Sequence, residues 1–110
     1  MKAIWKYPLE GTYREYCLSM PGDAKILCVQ CQEVTSSFGN TYKKPTLWVL
    51  VDNLSNSGII ERKFRLITTG EGFDDSDLQY IGTFQTNSGA FVGHIFEVIA
   101  GLPDNFMEKL

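Results

Sequence analysis

Apolar and polar positions alternate with a period of two along most of this chain, the pattern of half-buried strands. Ala3 to Leu9 predicts a first strand, with Trp5 and Tyr7 on one face, Ile4 and Lys6 on the other, and Pro8 marking its end. In Thr12 to Met20, Arg14, Tyr16, Leu18 and Met20 form the face that should be buried, and Pro21-Gly22-Asp23 is a turn. Lys25 to Val34 predicts a strand with Leu27, Val29 and Cys31 inward, Glu33 at the rim, and Ile26, Cys28, Gln30 and Gln32 outward. Thr35 to Lys44 is polar, contains Gly39-Asn40 and is expected to be a long loop displaying Phe38 and Tyr42.

Pro45 to Asp52 is nearly continuous in apolar character, as expected of a strand covered on both faces. Ile59 to Thr69 alternates again, with Phe64 and Leu66 inward and Glu61, Lys63 and Arg65 toward water. Gly70 to Asp77 is a loop that Asp74 or Asp75 is expected to cap into a short helical turn. Two β-rich runs around Asn87-Ser88-Gly89 then give the strongest hairpin signal in the chain. In its first arm Leu78, Tyr80, Gly82 and Phe84 share a face. In its second, His94 lies with Ala90, Val92, Phe96 and Val98. After Gly101 the tail 101–110 has room for at most a short helix, with Pro103 in its first turn.

About six or seven strands and no long helix predict a mainly β fold, an antiparallel β-sandwich or a small β-roll or barrel. Its 110 residues fit a single domain, with the core falling at about 2–100. Hydrophobic residues at 44% and charged residues at 21% are globular in balance, and the 13% of aromatics suits sheets.

A net charge of −3 argues against bulk nucleic-acid binding, which needs a basic face. No apolar run approaches the roughly 18 residues that span a bilayer, and Lys6 interrupts any leader-like stretch. Three cysteines cannot all pair within one chain, which suits a reducing cytoplasm.

Candidate chemistry is sparse. Cys28 and Cys31 have the spacing of a metal or redox pair, but on a strand positions i and i+3 point to opposite faces and their sulfurs diverge. Asp74-Asp75-Ser76-Asp77 lacks the alternating ligands, central glycine and final Glu of a calcium loop. His94, the only histidine, has no nucleophile motif beside it. No catalytic residue, metal or cofactor is assigned, and the chain is not expected to be an enzyme. A small-ligand site is expected from Arg62, Arg65, Thr69, Tyr80 and His94, because a forked guanidinium beside the Thr69–Gly72 loop suits a phosphate or carboxylate. Partner contacts are expected from Phe38 and Tyr42.

Met1-Lys-Ala-Ile-Trp-Lys-Tyr-Pro-Leu9, Met20-Pro-Gly-Asp-Ala-Lys-Ile-Leu27 with Val29-Gln30, Leu47-Trp48-Val-Leu-Val-Asp52, Phe64-Arg65, Thr69-Gly70 and Tyr80 through Gln85 to His94-Ile-Phe-Glu97 carry a resemblance. From Met1 to about Val98 the chain resembles a family of small uncharacterised proteins encoded mainly by bacteriophages and prophages. It departs from that pattern in the polar stretch Thr35 to Lys44 and after Gly101. The resemblance implies a host bacterial cytoplasm and transfers no activity.

The expected function is that of a non-enzymatic phage accessory protein that binds and neutralises a host component, such as a protein of anti-phage defence. The alternatives are a sponge for a nucleotide-type signalling molecule and a minor virion or assembly component. Short edge strands lead us to expect a homo-oligomer.

Overall fold

A computed structural model describes residues 1–10, 13–54, 56–86 and 89–100. Seven strands form two antiparallel sheets: β1 (Lys2–Pro8), β2 (Glu15–Pro21), β3 (Lys25–Thr35), β4 (Thr41–Asp52), β5 (Ile59–Thr68), β6 (Leu78–Thr86) and β7 (Phe91–Val98). One sheet has the order β1-β4-β3 and the other β2-β5-β7-β6. They pack face to face as a β-sandwich and are not closed into a barrel.

The core is the layer of alternating side chains between the sheets. Leu47, Val49 and Val51 of the central strand β4 meet Tyr16, Met20, Phe64, Leu66, Phe84 and Ile95, with Val29 and Leu9 closing the sides. Gly93 exists for this packing. A Cβ there would lie 2.5 Å from Phe84 Cζ and 2.6 Å from Leu66 Cδ1, so the bare backbone is what lets the Phe84 ring lie against β7.

Two β-bulges shift the pattern that simple alternation predicts. The β3–β4 register slips between Ile26 and Cys28, so Ile26 turns toward the core and Leu27 is left 42% exposed, the reverse of the expected assignment. The β6–β7 register slips between Tyr80 and Gly82, which separates Tyr80 from Phe84 and places it on the outer face opposite Phe96. Around these bulges β3 and β6 draw together across the two sheets. A Cβ on Gly82 would come within 2.9 Å of Val29 Cγ1, and the Cys31 thiol donates to the Gln85 carbonyl at 3.1 Å.

Two loop expectations are also corrected. Thr35 to Lys44 is not a long loop, because β3 and β4 continue as a hairpin until Ser36 N donates to the Asn40 carbonyl around Gly39, whose φ is +85°. Gly70 to Asp77 forms no helical turn; Asp74 accepts from Ser76 N and stops there. That loop folds back on the outer face of its sheet, where Phe73 meets Phe96 at 5.1 Å, and Ile67 on the same face is buried. The expected C-terminal helix falls outside the described residues.

Candidate functional site

The structure divides the residues expected to form one ligand site between two faces of the β2-β5-β7-β6 sheet. Arg62 points into the sandwich and is fully buried. Its Nε and Nη2 donate to the two carboxylate oxygens of Glu97 at 2.6 and 2.7 Å, and its Nη1 donates to the Ala24 carbonyl at 2.6 Å. A guanidinium committed in this way is an internal fastener rather than a surface for ligands. Arg65 lies on the outer face, half-exposed, 3.5 Å from Glu15.

Thr69, Tyr80 and His94 do come together on that outer face. His94 Nε2 is 2.8 Å from Thr69 Oγ1, His94 Nδ1 is 2.8 Å from Thr83 Oγ1, and Thr83 Oγ1 is 2.6 Å from the Tyr80 hydroxyl. The bulge at Ile81 makes this row possible by putting Tyr80 and Thr83 on one side. Both ring nitrogens of His94 are spent on threonine hydroxyls. The result is a hydrogen-bonded brace from β6 through β7 to the start of the 70–77 loop, with Tyr80 also edge-on to Phe96 at 5.4 Å.

A concavity lies elsewhere, at the end of the sandwich beyond the β1–β4 pairing. Leu9 N still donates to the Pro45 carbonyl, and beyond the end of β1 the β3–β4 hairpin runs on without it. The opening is a groove of about 510 Å³. Leu9, Tyr16, Leu66 and Phe84 form its floor, all buried core residues. Tyr13, Tyr42 and Phe91 stand at its exposed sides. Phe84 and Phe91 are neighbours at 6.0 Å, and Tyr13 sits edge-on to Tyr16 at 6.1 Å.

The charged residues of this lining are all cations: Arg14, Lys43 and Lys44. Arg14 is ion-paired with Glu71, whose carboxylate also accepts from Thr68 N and Oγ1 at 3.0 Å. These contacts, Arg14 first, hold the Glu71 carboxyl down at about 2. Lys44 donates to Glu10 at 2.7 Å, which raises its ammonium above the usual lysine range, and sits over the Tyr42 ring at 5.7 Å. Lys43 makes no ion pair among the described residues. It helps to hold down the Cys31 thiol, which burial pushes up more strongly.

Of the expected site residues, Tyr42 alone belongs to the groove, and it is a strand residue there. Phe38 stands apart at the hairpin tip, 89% exposed. Sequence reading missed Tyr13, Arg14, Lys43, Lys44, Phe84 and Phe91. Tyr42-Lys43-Lys44 sets two bases beside an aromatic, but the polar character of Thr35 to Lys44 predicts a loop there. Cys28 and Cys31 are free and diverge as their strand positions require, and no cluster of metal-ligating side chains occurs among the described residues.

A family model described as a domain of unknown function matches residues 1–104. No curated protein and no solved structure matches the chain.

Proposed function

The chain belongs to the DUF7352 family, and from the geometry of its groove we propose that it is a non-enzymatic binding protein that captures a small ligand between its two sheets. The observation that carries this reading is the groove itself, about 510 Å³ with an aromatic lining. Small-molecule sites of roughly 300–1,000 Å³ with mostly apolar walls and a few convergent polar groups are the common form. A binding rather than catalytic role is supported by the chemistry of the lining. Its tyrosines, phenylalanines and cations include no carboxylate or imidazole that would serve as a general base. His94 lies on the other face of the sheet with both nitrogens occupied.

In the phage context that the resemblance implies, capture of this kind would neutralise a host component by sequestering it. The test is binding of the neutral fluorophore N-phenylnaphthylamine to the wild type and to Thr86→Trp, which places an indole in the groove. Saturable fluorescence enhancement in the wild type that is lost in Thr86→Trp is the expected result. Equal enhancement in both, or none in either, overturns the reading.

A second reading, a host protein as the partner, is favoured by one observation. Phe38 is a large apolar side chain held almost wholly in water at the tip of the β3–β4 hairpin, a position suited to insertion into a partner's pocket. Pull-downs from bacterial lysate with wild type and Phe38→Ala check it, and identical partners recovered by both would remove Phe38 from that role.

A further inference from the structure

Three features single out the kind of ligand the groove takes, and they rest on the groove being the binding site. The first is charge. The chain carries 13 acidic and 10 basic residues, yet among the described residues three bases and no Asp or Glu line this groove, with Glu71 and Glu10 pairing two of the three from outside the lining. In a net-acidic molecule such a local reversal attracts an anion and repels cations. The second is availability. Arg14 and Lys44 are held by Glu71 and Glu10, whereas Lys43 makes no ion pair among the described residues and stands beside the groove's tyrosine, Tyr42. Arg14 is 68% exposed, and exposed ion pairs contribute only about 0–1 kcal/mol, so an incoming anion can draw on Arg14 as well as on Lys43. The third is shape. Tyr13, 63% exposed, stands with Tyr42 and Phe91 at the exposed sides, and Phe84 lies on the floor. Aromatic walls of this sort reward a flat, polarisable body.

We propose that the groove binds a planar aromatic body carrying an anionic group, and that a nucleoside monophosphate is the biological class that fits. The ring lies against Tyr42 and the Phe84–Phe91 pair, and the phosphate meets Lys43 first, with the exposed Arg14 also in the lining. Stacking on aromatic side chains is tolerant of base identity, so the groove discriminates by charge and flatness more than by base. An acidic peptide shares the charge but not the flatness, and a neutral aromatic shares the flatness but not the charge.

The experiment is competition against bound N-phenylnaphthylamine, read by fluorescence, with the four nucleoside monophosphates, their uncharged nucleosides, inorganic phosphate and an acidic tetrapeptide. Monophosphates should displace the probe at least tenfold more effectively than nucleosides, phosphate or peptide. Lys43→Gln should weaken displacement by the monophosphates about tenfold relative to displacement by their nucleosides, each measured against the variant's own probe affinity. Nucleosides as effective as monophosphates, stronger displacement by the peptide or by phosphate alone, no displacement at all, or an unaltered Lys43→Gln would each overturn the proposal. Those outcomes leave the groove as a site for another ligand. Failure of the probe itself to bind removes the groove reading and this inference with it.

Discussion

Arg62 and Glu97 meet inside the sandwich with two parallel hydrogen bonds between guanidinium and carboxylate, both side chains within 2% of complete burial. The third bond of Arg62, to the Ala24 carbonyl, fastens this pair to the turn that joins β2 to β3 and so links one sheet to the other. Removing one partner strands the other charge away from water, which costs about 3–5 kcal/mol, whereas replacing a buried pair with apolar side chains of similar volume is often neutral. Glu97→Ala should therefore lose about that much stability in urea unfolding. The double change Arg62→Met with Glu97→Leu should regain most of it. A double variant as unstable as the single one would mean that the Ala24 bond, not the ion pair, is what matters here.

Gly93 predicts a steric effect of opposite origin. Its Cβ would enter the space of Phe84 and Leu66, and overpacking of a filled core costs about 1–3 kcal/mol. Gly93→Ala should fall in that range by calorimetry, and combining it with Phe84→Leu should recover part of the loss. Because Phe84 also forms the groove floor, Gly93→Ala should weaken probe binding too.

Glu71 makes the stability depend on acid. Its folded carboxyl sits near 2 instead of 4.5, with Arg14 the leading cause. A depressed carboxylate contributes stability that is fully present above the unfolded value and is lost as pH falls through the folded one. The gap in melting temperature between wild type and Glu71→Gln should be constant above about pH 5 and should close between about pH 4.5 and 2. A gap that widened on acidification would show that Glu71 acts by something other than its charge.

The cysteines should react in an order set by exposure and thiol acidity. Cys17 is exposed, while Cys31 is partly covered, donates to Gln85 and has its thiol pushed up by burial. A thiol must ionise to react, so Cys17 should be modified first by a disulfide reagent at neutral pH, as mass mapping would reveal. Faster modification of Cys31 would contradict the closed approach of β3 to β6.

The strands were readable because alternation is local. Phe64 and Leu66, Tyr16 and Met20, and the apolar run of β4 all announced their inward faces. The bulges were not readable, since nothing in Lys25-Ile-Leu-Cys28 or Tyr80-Ile-Gly82 says which residue the neighbouring strand will skip, and one skip puts the residues on its two sides out of phase with each other. The site was lost for the same reason at larger scale. Arg62 sits in an obvious basic run, but its face depends on Glu97, 35 residues away. The groove is assembled from the ends of β2, β4, β5, β6 and β7, which only the packing of the two sheets brings together. Thr69, Tyr80 and His94 lie in one hydrogen-bonded row through a register that the sequence does not display.

The most direct test of the central claim is two-dimensional NMR of the labelled protein during titration with adenosine monophosphate. The account predicts saturable shifts at Tyr13, Tyr42, Lys43, Leu66, Phe84 and Phe91, with Thr69, Tyr80 and His94 unmoved. Shifts centred on His94 and its hydroxyl neighbours, with the groove silent, would contradict it.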